Sequence, residues 1–209
     1  MTPSCYAGGV STAPTKGTRS ATEADLLALP DGGRGWELID GALTEKETGA
    51  RHGQAQVSLV QLVGPFRRRG GGDDDTPHGW HILTEQLVRL VPHTVRPDVA
   101  GWRRKRLPEL PSLGDDGVLD LRPDWVCEII SPKHAADDLV RKRRIYWQHE
   151  VPHYWIVDPR DETLTVHRWN AAGYIGVLVA QREERVRAEP FEAVEMRVGA
   201  LFGDDEDAT

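Results

Sequence analysis

Hydrophobic and polar positions along the chain change period several times, and each change marks an element. From His52 to Phe66 the apolar residues Val57, Leu59, Val60, Leu62 and Val63 form a wide stripe at helical spacing, which predicts a helix with one buried side. Residues 135–149 predict a second long helix. Thr22-Glu23-Ala24-Asp25 reads as the start of a short helix with Thr22 as N-cap, ended by Pro30-Asp31-Gly32-Gly33. Trp36 to Ile39 is a strand entering a turn at Asp40-Gly41, and residues 42–46 return as its hairpin partner. Strand-like segments follow at about 80–90 and 96–102, then 124–130 and 154–159. A hairpin pairs Leu164–Trp169 with Tyr174–Val179, and a further strand-like stretch lies near 191–198.

The order strand 124–130, helix 135–149, strand 154–159 predicts a right-handed parallel crossover. Segment 124–130 is apolar apart from Asp124 and Glu128, as in a central strand covered on both faces. Much of the remaining sheet comes from hairpins, so the fold class is α/β with a mixed β-sheet and flanking helices. No Gly-rich loop precedes a helix, which argues against a phosphate-loop or dinucleotide site. No internal repeat is present. Residues 1–20, rich in Gly, Ser, Thr and Pro, read as a flexible tail, and 203–209 as an acidic one.

Two acids interrupt the apolar strands. Asp98 lies in Arg96-Pro97-Asp98-Val99-Ala100-Gly101-Trp102, and Glu128 in Asp124-Trp125-Val126-Cys127-Glu128-Ile129-Ile130. A carboxylate is expensive to bury unless its charge is compensated, and a hard divalent cation is a common compensation for two that meet. Alternation puts Asp98, Ala100 and Trp102 on one face, and Asp124, Val126, Glu128 and Ile130 on one face of theirs. If the strands are neighbours, Asp98 and Glu128 converge on one cation, with the Ile129 backbone carbonyl as a further oxygen ligand. Mg2+ suits such a site because it accepts one or two carboxylates and keeps waters; Mn2+ is an alternative. A turn cap for Asp98 and an ion pair with an arginine for Glu128 are the competing structural explanations.

Asp138, Lys142 and Tyr146 follow at four-residue steps and share a helix face. They form either a solvent-exposed ion pair or a face on which Lys142 reaches the acids to position water or stabilise charge on phosphate. Leu139 and Tyr146 on or beside that face indicate partial burial.

Composition narrows the setting. The chain of 209 residues is 39% hydrophobic and 28% charged, which fits a globular protein with a sizeable core. No apolar run approaches the roughly 18 residues of a membrane span, and no secretory signal is evident. Cys5 and Cys127 lie in a predicted tail and a predicted core strand, so a reduced, cytoplasmic protein is expected. A net charge of -7 argues against non-specific coating of nucleic acid. Basic runs at Arg67-Arg68-Arg69, Arg103-Arg104-Lys105-Arg106 and Arg141-Lys142-Arg143-Arg144 nevertheless allow a local basic surface.

The order of these motifs resembles the Uma-two family of restriction endonucleases, a branch of the PD-(D/E)XK nuclease superfamily. The matching text is Trp36-Glu37-Leu38-Ile39-Asp40-Gly41, then His52, then Arg96-Pro97-Asp98-Val99-Ala100. It continues with Pro123 to Pro132, then Asp138, Lys142 and Tyr146, then Val151 to Pro159. The resemblance covers about residues 22–200. It implies a restriction-endonuclease-like fold, a single nuclease domain over 21–202, and Asp98 and Glu128 as magnesium ligands. It implies that Lys142 replaces the superfamily's strand lysine, because the position two after the acid is Ile130. Lys133, just past the strand, is a second candidate lysine. Glu37 and His52 match recurring family positions, Glu37 as a further metal-shell carboxylate and His52 as a phosphate contact or base. Glu150 stands where the family usually has glycine.

The expectation is a metal-dependent DNA endonuclease, with DNA as partner and a homodimer as the simplest route to double-strand cleavage. The alternative is a non-catalytic nuclease-fold module that binds nucleic acid or protein, favoured by the acidic net charge and by Ile130.

Overall fold

The central strand is β7 (Trp125–Ile129), whose five residues are all buried. The computed structural model describes residues 19–46, 48–68, 78–111, 117–131 and 135–205, without the side chains of 135–138. Lys133, His134, Cys5 and most of both predicted tails therefore lie outside the described residues, as does the Asp138 side chain. Strand β7 lies within a six-stranded sheet of order β10-β9-β8-β7-β6-β3. The members are β3 (Trp80–Thr84), β6 (Val99–Arg103), β8 (His153–Asp158), β9 (Thr163–Arg168) and β10 (Ile175–Gln181). Within this sheet, among the described residues, only β7 and β8 pair in parallel; the helix α4 (Ala135–Gln148) connects them, as the strand–helix–strand pattern predicts. The other pairs in this sheet are antiparallel.

A second sheet, β2-β1-β5-β4, contains the hairpin β1 (Trp36–Ile39) and β2 (Ala42–Glu45) with β5 (His93–Val95) and β4 (Val88–Leu90). The hairpin turns at Asp40 and Gly41, both with positive φ, as a two-residue primed turn requires. The helix α1 (Glu23–Leu27) starts with a capping box between Thr22 and Asp25, and α2 is a single turn at Pro30–Gly33.

Two cores flank the main sheet. On one face Trp125, Cys127 and Ile129 pack with Ala55, Leu59 and Leu62 of α3 (Ala50–Leu62). Phe191 sits against Phe66, Trp80, Trp125 and Trp155, with ring centroids 4.7 to 5.7 Å apart. Gly101 is the small residue that lets two of these indoles close over β6, since a Cβ there would lie 3.1 Å from both Trp80 and Trp125. On the opposite face Ala100, Trp102 and Val126 pack with Ile145, Tyr146 and Tyr154, and with Ile39, Val88 and Val95 of the smaller sheet. The apolar inventory of β7 is thus split by parity between two cores, and Glu128 shares its parity with Val126 on the α4 side.

The structure departs from the sequence reading in two stretches. The segment near 80–90 is two strands in different sheets, broken at Glu85, which has φ 53°. The segment near 191–198 contributes only β12 (Met196–Arg197), paired with β11 (Arg185–Val186), and then turns into a 3-10 helix. Among the described residues no helix is long and apolar enough to cross a membrane.

Helix α4 ends in a Schellman arrangement. The Val151 N–H donates to the Tyr146 carbonyl at 3.0 Å and the Glu150 N–H to that of Trp147 at 3.0 Å. This geometry needs a left-handed residue at position 150, and Glu150 has φ 55°. Glycine adopts that conformation without the Cβ penalty, although it costs more entropy on folding. Glu150→Gly is therefore expected to stabilise the protein by about 0.5–1 kcal/mol. In a melting experiment this is a rise of about 2–4 °C per kcal/mol; an unchanged or lower Tm would show that the cap carries no strain.

Candidate active site

Antiparallel register sets the centre of the site. Val99 faces Cys127 and Ala100 faces Val126, so the same register carried one step past the start of β6 sets Asp98 opposite Glu128 of β7. Both acids are buried, Asp98 at 1% and Glu128 at 5% exposure. The Ile129 N–H donates to Asp98 Oδ2 at 2.6 Å, which ties the first acid to the strand of the second.

Helix α4 supplies the cation. Lys142 Nζ lies 3.1 Å from Glu128 Oε2 and 3.0 Å from Glu37 Oε2, and Lys142 is 2% exposed. One turn later Tyr146 donates its hydroxyl to Glu128 Oε1 at 2.5 Å. The four-residue step between Lys142 and Tyr146 lets both reach one carboxylate, one oxygen each. Glu37, from β1, is fixed at its other oxygen by the Arg96 N–H at 2.5 Å. The smaller sheet therefore joins the main sheet through a buried Glu37–Lys142–Glu128 bridge. Breaking such a bridge from one side typically costs about 3–5 kcal/mol, because a charge is left buried without a partner.

Asp98 has its own donors. Lys46 Nζ is 2.7 Å and His52 Nε2 3.1 Å from Asp98 Oδ1. The carboxylate only accepts, so His52 presents Nε2–H to it; His52 Nδ1 is buried with no partner among the described residues. Lys46 also contacts Glu85 Oε2 at 3.0 Å and the Arg96 carbonyl at 2.7 Å. Gln56, on α3, bridges Glu85 Oε1 at 2.9 Å and the Asp98 carbonyl at 2.8 Å.

Of the residues singled out in the sequence, Asp98, Glu128, Lys142, Glu37 and His52 meet in this network. Lys133 and the side chain of Asp138 lie outside the described residues. His149 and His153 stand apart from the network: His149 approaches backbone oxygens of Ile145 and Val91, and His153 lies 3.7 Å from Glu189. Lys46, Glu85 and Gln56 were not anticipated. Lys46 follows Glu45 at the end of a hairpin and reads as a solvated charge, while Glu85 interrupts a strand-like run. No local pattern marks either as buried beside Asp98.

The electrostatics are uneven. Burial alone would raise the Asp98 pKa, but Lys46 and His52 outweigh it and hold the carboxyl well below its ordinary range. Burial also disfavours the Lys46 ammonium, yet Asp98 keeps its pKa above the usual lysine value. Burial pushes Glu128 up to about 8, with the neighbouring Asp98 adding to the rise and Lys142 opposing it. Three well-buried acids, Glu37, Asp98 and Glu128, thus share two buried ammoniums, Lys46 and Lys142, and the charges of these five balance when Glu128 holds a proton. A hard cation between the facing acids would take the place of that proton and compensate Glu128 as a carboxylate, so the donor set fits Mg2+ or Mn2+. No group of three or more His, Cys, Asp or Glu side chains is arranged as a ready metal cage among the described residues. The fit therefore rests on two carboxylates and on water.

The mixed sheet with its flanking helices is a restriction-endonuclease-like fold. The chain belongs to the Uma2 family, described as "Putative restriction endonuclease", which it matches over residues 23–199. It is similar in structure to a protein from Anabaena variabilis, described as "a putative nuclease belonging to DUF820". The TM-score is 0.68 at 20% identity, over 87% of this chain and 97% of that one, a likeness of fold. No curated protein matches.

The raised Glu128 pKa carries a sign. A carboxyl whose folded pKa exceeds its unfolded value of 4.5 contributes stability below that value and loses it as pH rises through about 8. Gln does not titrate, so in metal-free buffer Glu128→Gln is expected to gain stability relative to wild type between about pH 5 and pH 9. The difference in Tm should widen by several degrees. A constant difference would mean that Glu128 is ionised throughout.

Proposed function

We propose that the protein is a metal-dependent endonuclease that hydrolyses DNA phosphodiester bonds. The observation that carries this reading is the pairing of Asp98 with Glu128 across adjacent strands, with Lys142 on the second acid. Asp98 and Glu128 would hold Mg2+, with the Ile129 carbonyl as a further oxygen ligand. When bound, the metal supplies a water of lowered pKa and neutralises charge developing on the phosphate.

The protein's own groups define the rest. Glu37 and Glu128 hold the Lys142 ammonium from two sides, so its position is set before substrate arrives. From there it orients the attacking water and stabilises negative charge on the phosphoryl oxygens. Tyr146 fixes the Glu128 carboxylate, and the Ile129 N–H fixes that of Asp98, which prevents either from rotating away. His52 keeps Asp98 ionised by donating to it. Glu37 acts through Lys142 and is a positioning residue.

One observation favours a second reading, a nuclease-fold module that binds nucleic acid or protein without cutting. Every side-chain oxygen of Asp98 and Glu128 already has a donor from the protein itself.

The two readings separate in a supercoiled-plasmid assay with Mg2+ or Mn2+. Under the first, wild type nicks DNA, and Asp98→Asn, Glu128→Gln and Lys142→Ala each reduce the rate at least about 100-fold. Melting curves of the same samples distinguish lost chemistry from lost fold. No metal-dependent nicking by folded wild type supports the binding module. Equal nicking by wild type and variants would expose a contaminating nuclease.

A further inference from the structure

Lys46 sits among hard oxygens on the Asp98 side of the site and shares Asp98 with the ligand pair proposed above. Its Nζ has three oxygen neighbours: Asp98 Oδ1 at 2.7 Å, the Arg96 carbonyl at 2.7 Å and Glu85 Oε2 at 3.0 Å. Two carboxylates and a carbonyl are the hard oxygens that a divalent cation takes. An ammonium has three N–H donors, and these three contacts use them all. In this arrangement Lys46 has none left to offer a phosphate, so a direct contact to substrate is not its role here.

The oxygens do not depend on Lys46 for their placement. Asp98 is also held by His52 and by the Ile129 N–H. Glu85 is held by Gln56 at Oε1, while its N–H donates to the Asp98 carbonyl at 3.2 Å and its own carbonyl accepts from Arg96 at 2.5 Å. Its left-handed backbone, φ 53°, is fixed by these contacts on both sides. The oxygen set would therefore persist if the ammonium left. Lys46 is carried on a flexible four-carbon stem just after the last residue of β2, unlike Lys142, which is anchored in the middle of α4.

We infer that Lys46 is a tethered cation that occupies the Asp98 side of the site, and that a divalent metal binds there only by displacing it. The inference rests on the metal-dependent reading above. It makes Lys46 the residue that sets metal affinity, distinct from Lys142, which stays with Glu37 and Glu128.

Mn2+ titration calorimetry of the wild type, Lys46→Met and Lys46→Met/Asp98→Asn tests this. Methionine keeps the length of the side chain and removes its charge. Lys46→Met is expected to bind Mn2+ on the order of tenfold more tightly than wild type, and the added Asp98→Asn change to abolish the gain. Because the substitution leaves Asp98 with one fewer cation, a measurement on wild type stands beside it. Amine-modification footprinting read by mass spectrometry should show Lys46 protected without metal and reactive when Mn2+ is saturating. Equal or weaker binding by folded Lys46→Met, or a Lys46 that stays protected with Mn2+ bound, overturns the inference and leaves the metal-dependent reading intact. Absence of Mn2+ binding in wild type and in folded Lys46→Met overturns the metal-dependent reading itself.

Discussion

Three carboxylates buried in the same region are the constraint around which the structure is arranged. Glu37 and Glu128 come from strands of two sheets and Asp98 from the turn that enters β6, and none could be buried alone without protonation or a partner. The two lysines that meet them also hold the elements together. Lys142 joins α4 to β1 and β7, and Lys46 joins the hairpin's end to the turn before β6. The polar network is therefore both the candidate site and the seam between the two sheets.

The apolar architecture makes that seam possible. Strand β7 gives Trp125, Cys127 and Ile129 to one core and Val126 to the other. Glu128 is thereby directed to the face where α4 packs. The helix is held at its end by the Schellman bonds from Glu150 and Val151, and Tyr146 serves both ends of the arrangement. Its carbonyl closes the cap while its hydroxyl closes on Glu128. Position 150 explains why glycine suits that turn: the backbone is left-handed there, and Glu150 adopts the same conformation at some cost.

The mixed fold, the crossover through α4 and the hairpin at Asp40-Gly41 were legible because each has a periodic or turn-forming signature. The facing of Asp98 and Glu128 followed from alternation once the strands were taken as neighbours. Glu85 and Lys46 were not legible. Glu85 owes its position to a left-handed backbone that tertiary contacts impose, and Lys46 is buried only because strands distant in sequence close over it. The run near 80–90 looks continuous in sequence for the same reason: Glu85 breaks the strand without a Gly or Pro to announce it.

The contacts to the Asp98 carboxylate span 31 to 52 residues of sequence, and the hydrogen bond from Arg96 to Glu37 spans 59. Contacts of such separation form only after the chain has closed long loops, which makes them late and mutually dependent in folding. A partly folded chain thus has neither the paired acids nor their lysines in place. The chemistry is linked to completion of the whole fold, and a truncated or misfolded copy carries no isolated fragment of the site.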